Sequence, residues 1–419
     1  MQVEETVRSE ACLGDEALYR RIQEDAVTLI ESLGVRASNE AAKKILDALD
    51  PGETDSIVFS PEAGRFYVPG EVIDRCMERI RQGFDYWPRG LGTGGMAAYV
   101  VDREGPRPAE LEDIRQLAQV FGRTDALTSI QSSFNPCGQI KRSDLQRLGT
   151  VECACIDLMI EYGGGKMVTP TIRSERGIRH LALRHEQGQR IGAALSIIST
   201  FLTVSEEMLA PFLRTVQSNV PFLMNSMPIG GLTGPYSVTS LATLGHAEAL
   251  FGMVLGQLIR PGIRCINAAM PTVADMSKKE MPMMFGSRAN TIVNLLIAEV
   301  NAFLGLPSIQ SACGHSRDTY DEAAERESAE TYSLVNRYRY HSLRHLFGFA
   351  AQLNDFSIEV MEWQIELYQR IRLAPVQIPD MAPIEYDPDG LEAIFEGIDR
   401  NDFRNLDHTL RNVGRAFAS

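Results

Sequence analysis

The seven cysteines (Cys12, Cys76, Cys137, Cys153, Cys155, Cys265 and Cys313) include no CxxC pair. An odd, scattered set offers no disulfide framework and reads as reduced, mostly packed thiols in a cytoplasmic protein. The sequence also lacks a P-loop, a GxGxxG after a strand and a GxSxG elbow. Those absences remove the usual nucleotide cradles and the serine-hydrolase turn. The run Gly92-Thr93-Gly94-Gly95 has no helix patterned behind it and reads as a flexible turn. Positive charge is in deficit, with 41 Lys+Arg against 55 Asp+Glu and a formal net charge of -14. An acidic chain repels phosphate backbones and anionic lipid, which argues against nucleic-acid and membrane-surface partners. The first residues carry no apolar h-region, so no signal peptide is expected. The most apolar stretch, Ala247 to Leu258, reads as too short and too interrupted to span a bilayer.

Clustered metal ligands are missing too. Cys153 and Cys155 lie in a helix pattern, where alternate residues point apart. His341 and His345 are four apart on an expected helix, but no HExxH glutamate accompanies them. Cys265, Cys313 and His315 are the one set left for zinc, and two packed thiols are the plainer reading. No bound metal is therefore expected.

What remains is an ordinary globular composition: 419 residues, 44% hydrophobic and 23% charged. Residues 1–105 read as an N-terminal helical and lid segment. It has amphipathic helices over Ala17 to Leu33, Glu40 to Leu49 and Gly70 to Arg81, and a short strand over Phe66 to Pro69. The glycine-rich then β-like stretch that follows, through Tyr99 and Asp102, reads as a hairpin rather than a barrel strand. Over residues 106–419 short β-rich runs alternate with long amphipathic helices. The runs are Leu127 to Ser132, Lys166 to Ile172, Ala194 to Thr200, Pro221 to Ser226, Arg264 to Ala269 and Ser308 to Ala312. Repeated β-then-α units imply parallel strands. Six of them followed by more helix predict a (β/α)8 TIM-type barrel, with a further strand over Leu346 to Ala350.

Barrel chemistry sits where strands end. Here the ends are neutral and hydrogen-bonding: Gln131 to Ser133, Thr169 to Thr171, Asn225 to Met227, Asn267 and Gln310. That composition suits positioning a ligand rather than hydrolysis by two carboxylates. Aromatic residues at presumed strand ends and loops, including Tyr99, Phe347 and Phe349, would suit a quaternary ammonium through cation–π attraction.

Several stretches together resemble the trimethylamine methyltransferase family. The strongest is Met227-Pro-Ile-Gly-Gly-Leu-Thr-Gly-Pro235, continuing through Ala247 to Gly262 with its Gln257-Leu-Ile-Arg-Pro-Gly262 ending. Phe285-Gly-Ser287, Gly305-Leu-Pro307, Phe403 and His408-Thr-Leu-Arg411 follow in order. Upstream, Gly94-Gly95, Tyr99 to Asp102, Arg107-Pro-Ala109 and Asp113 fit the family's lid-and-entry segment. Near Leu346 to Ala350 the family often carries a histidine where this chain has Phe347.

The resemblance implies a (β/α)8 barrel and transfer of a methyl group from an amine to the cobalt of a separate corrinoid protein. Cobalamin would thus come from the partner, with no cofactor bound tightly to this chain, and the enzyme is expected to be a homo-oligomer. Founding members carry pyrrolysine, which this sequence lacks; the corresponding stretch lies within Ser311 to Asp321. A quaternary ammonium already carries a neutral leaving group, so the loss points to a quaternary amine of the betaine type. On this reading His315 and Arg317 are the catalytic candidates, with Arg317 pairing a substrate carboxylate. Tyr99, Phe347 and Phe349 face the methylammonium group, and Asn267 and Gln310 orient the ligand. The alternatives are a zinc-dependent methyltransferase and a non-catalytic amine-binding barrel.

Overall fold

The computed structural model of the chain describes residues 11–134, 136, 145–374, 376–378 and 381–414; Cys137 lies outside them. The fold is mixed α/β, with parallel strands alternating with helices. Eight short strands run in parallel: β1 (Gly90–Gly92), β2 (Leu127–Ile130), β3 (Met167–Val168), β4 (Ala193–Leu195), β5 (Phe222–Ser226), β6 (Cys265–Ala269), β7 (Ile309–Ser311) and β8 (Ser342–Arg344). β1 pairs with β2 and β8, and β2 with β3. β5 lies between β4 and β6, and β7 pairs with β8. Isolated parallel bridges, Val168↔Ile191, Thr171↔Ala194 and Asn267↔Ser308, span the remaining gaps.

Strand side chains alternate between two faces. One face carries a small core of Trp87, Met167, Leu223, Ile266, Ala268 and Ile309. The other packs on the helices and joins the large continuous core. The central element of that core is the helix Val238–Ile259, mostly apolar and almost wholly buried. At 22 residues it is long and apolar enough to cross a membrane, which corrects the reading of its apolar run as too short. Strands β5 and β6, the first helix (Glu16–Thr28) and the helix Arg288–Leu304 enclose it instead. Burial on every side is what a helix with apolar residues around its whole circumference requires.

Three expectations change. Gly90–Gly92, read as part of a hairpin, is a parallel strand seated between β8 and β2. Too short for an alternating pattern and with glycine at both ends, it carries no periodic signal. The hairpin begins later, at Tyr99–Asp102 paired with Gly105–Pro108. The parallel strand expected over Leu346 to Ala350 lies four residues earlier, at Ser342–Arg344. Phe349–Ala350 instead pairs antiparallel with Asp355–Phe356, on the same small sheet as Tyr99. His341 and His345 flank β8 at opposite ends rather than sharing a helix face, so their spacing of four brings no shared ligand position.

Candidate active site

Alternation decides which side chains meet where the parallel strands end. Leu223 faces the small core, so Asn225 shares its face; Ile266 and Ala268 place Met270 there in the same way. Arg344, the last residue of β8, reaches the same spot and is among the largest fully buried side chains. Its Nη2 donates to Asn225 Oδ1 at 2.6 Å and lies 2.8 Å from Met270 Sδ; its Nη1 is 3.5 Å from Gln131 Oε1. Gln131 in turn donates from Nε2 to the Thr171 hydroxyl and is braced by Thr93. The described partners of this guanidinium are all neutral. Burial pulls it down to about 9, with no anion among the described residues to offset its lost hydration.

His345 follows with a left-handed backbone, φ 68°. That turn breaks the alternation and lays the imidazole beside the arginine: a Cβ on Gly94 would lie 2.6 Å from His345 Nε2 and 3.1 Å from Arg344 Cδ. Glycine at 94 lets the β1 loop approach both. Gly95, at φ +100°, would drive a Cβ into the ring of Phe349. Ser311 Oγ holds His345 Nδ1 at 2.9 Å, and Phe349 meets the imidazole edge-on at 5.9 Å. Burial and the neighbouring Arg344 push the imidazole well below its usual range, so it is neutral. The cluster is buried and, apart from the Arg344 guanidinium, uncharged.

Residues read from the sequence fall in different places. Phe349 borders this cluster. Tyr99 is exposed, on the same small sheet. Phe347 packs into a separate aromatic group with Tyr332 and Tyr368. Asn267 and Gln310 face the helices, the side opposite to Ile266 and Ile309. His315 is buried beyond β7, stacked edge-on against Tyr320, with Nδ1 accepting from the Arg317 amide and burial lowering it to about 4. Arg317 lies half exposed, 3.8 Å from Glu327. It lines a separate cavity of about 440 Å³ with Lys278, Met283, Met284 and Gln352.

Cys265 begins β6 and Cys313 lies beyond the end of β7, so the two thiols sit at opposite ends of the sheet, roughly 20 Å apart along the strands. They do not share an ion, and among the described residues no group of three His, Cys, Asp or Glu could hold one. Sequence reasoning missed Arg344. Its one available signal was a lone charge inside the β-like run Ser342-Leu-Arg-His-Leu-Phe347, assigned there to a helix.

The family model for trimethylamine methyltransferase (MTTB) matches residues 187–417. The glycine betaine methyltransferase of Desulfitobacterium hafniense (strain Y51) is 25% identical over 222 residues, 52% of this chain and 44% of that protein. The trimethylamine methyltransferase MttB of Methanosarcina barkeri is 26% identical over 122 residues, 29% of this chain and 24% of that protein. The matched stretch thus spans less than half the length of these curated relatives. Among solved structures, the [FeFe]-hydrogenase maturase HydG aligns over 97% of this chain and 93% of its own at 11% identity and a TM-score of 0.38, too low to bear on the fold.

Proposed function

The chain belongs to the trimethylamine methyltransferase family, and on that footing we propose that it takes a methyl group from a carboxylated quaternary amine, a betaine, and passes it to a corrinoid protein. The observation that carries this reading is Arg344, a buried guanidinium whose described partners are all neutral. A buried cation without an anion is costly unless a ligand supplies one. A planar carboxylate matches the guanidinium fork, whereas a simple tertiary amine brings no anion at all. The carboxylate role read for Arg317 therefore moves to Arg344. Arg317 already has Glu327 beside it and water around it.

The chemistry asked of the cluster is modest. Arg344 fixes the carboxylate, and the faces of Phe349 and neutral His345 accept the methylammonium end without a competing acid. A quaternary nitrogen departs as a neutral tertiary amine, so the protein has no proton to deliver. Its task is to strip water and hold one methyl group along the line of attack. The corrinoid, carried by the partner protein, supplies a reduced cobalt as the methyl acceptor.

The scaffold in this proposal is a (β/α)8 barrel. Its support is that each of β1 to β8 has a parallel pair or bridge on both sides, with β8 returning to β1. The test is methylation of reduced cobalamin by the full chain, read as methylcobalamin absorbance. Glycine betaine is expected to support it, and trimethylamine and choline are not. Equal activity with trimethylamine would overturn the proposal.

A further inference from the structure

Behind the strand wall, buried polar side chains form a chain that none of the chemistry above uses. Gln23 on the first helix, His246 on the helix Val238–Ile259 and Asn267 on β6 are all buried. Gln23 Oε1 lies 2.8 Å from His246 Nε2, and His246 Nδ1 lies 3.2 Å from Asn267 Nδ2. Asn267 Oδ1 accepts from the Ala269 amide at 3.0 Å.

The proton positions follow from one end. A backbone N–H only donates, so the Ala269 amide fixes which atom of the Asn267 amide is oxygen. Asn267 Nδ2 therefore points at His246 and donates to Nδ1. The imidazole must then carry its proton on Nε2 and give it to Gln23 Oε1, leaving Gln23 Nε2 towards Met77 Sδ. Burial holds this imidazole near 4, in agreement with the neutral form that the relay needs.

The far end of the relay reaches the Arg344 cluster. Ala269 precedes Met270, whose amide donates to Ser226 O at 2.7 Å and whose sulfur lies 2.8 Å from Arg344 Nη2. Asn267 thus shapes the strand end that presents the Met270 thioether to the arginine.

We infer that His246 is a positioning residue: acting through Asn267 and Met270, it sets the place of the Arg344 guanidinium. The inference rests on the betaine reading for its binding readout only. It also gives Asn267, on the helix-facing side of β6, an indirect part in substrate orientation.

Two variants of the full chain test it, His246→Leu and His246→Gln. Leucine fills the space and breaks the relay. Glutamine replaces it, since its amide has one acceptor for Asn267 and one donor for Gln23. The first readout is the Met270 methyl resonance in protein labelled with 13C-methyl methionine. It is expected to move in His246→Leu and to return in His246→Gln. The second is calorimetric affinity for glycine betaine, expected to weaken roughly tenfold in His246→Leu and to recover in His246→Gln, as when a supporting contact is lost. A lower Tm in His246→Leu with an unmoved Met270 resonance would show a purely structural histidine and overturn the inference. If the resonance moves while the wild-type chain binds no betaine, the relay stands and the substrate reading falls.

Discussion

Two arginines lie 27 residues apart in the sequence and meet opposite surroundings. Arg317 is half exposed and sits 3.8 Å from Glu327, on a cavity lined by charges of both signs. Arg344 is buried, with an amide oxygen and a thioether as its nearest partners. The first is a solvated ion pair, worth little because water and salt screen it. The second is a charge left unanswered among the described residues, which a fold keeps only at a cost. An arginine's use to a ligand is set by what it lacks in the empty protein.

The comparison breaks most sharply at Arg344→Met. Betaine binding is expected to fall by roughly 2–5 kcal/mol, the range for truncating one partner of a desolvated charge pair. Stability at neutral pH should rise at the same time. The folded guanidinium is held near 9 against an ordinary 12.5, so the fold penalises the charged form at every pH below about 9. The penalty fades only as pH climbs from there towards 12.5. Calorimetry with glycine betaine and a thermal melt would check both parts. A variant that melts lower and still binds betaine would show the arginine to be structural.

Glu248 sharpens the contrast with the opposite sign. It sits behind the same strand: Ser226 donates to its carboxylate at 2.7 Å, while the adjacent Asn225 faces Arg344 on the other side. Burial raises this carboxyl to about 8. A raised carboxyl favours its protonated form in the fold. No penalty exists below the unfolded value near 4.5, and one accumulates as pH rises from there to about 8. Glu248→Gln is thus expected to stabilise by a few kcal/mol at pH 8 and by almost nothing at pH 4.5. Denaturant melts at the two pH values would show it, with betaine affinity unchanged. Equal stabilisation at both would mean the carboxyl is not held protonated.

The smallest effect belongs to Arg317→Ala. With a half-exposed ion pair at stake, stability and betaine binding should each change by less than about 1 kcal/mol. A larger loss confined to carboxylated substrates would return the carboxylate to Arg317.

Much of the architecture was legible. Apolar periodicity located the three N-terminal helices to within a few residues, because burying one stripe leaves a 3.6-residue trace. It also located β2 to β7, where β-rich runs stand between further helices. β1 was not legible, since Gly90–Gly92 carries too few side chains for a pattern. β8 was displaced, since Arg344 and the histidines beside it break an apolar run. Asn267 and Gln310 show the same limit at the site. Their place on β6 and β7 was readable, but they sit mid-strand rather than at the ends, and which face they occupy depends on the register against neighbouring strands. A shift of one residue reverses every side chain.

The sequence by itself determined the alternation of strands and helices, the neutral ends of most strands and, through its motifs, the resemblance to the family. Local pattern and motifs carry those, with no need of long-range contacts. Only the tertiary structure decided which arginine stands without an acid among the described residues. Partners of Arg344 come from Gln131, Asn225 and Met270, on three other parts of the sheet, and Glu327 reaches Arg317 only through the fold of the segment between them. Charge pairing depends on distances of a few ångströms between residues far apart in the chain, and folding alone creates those distances.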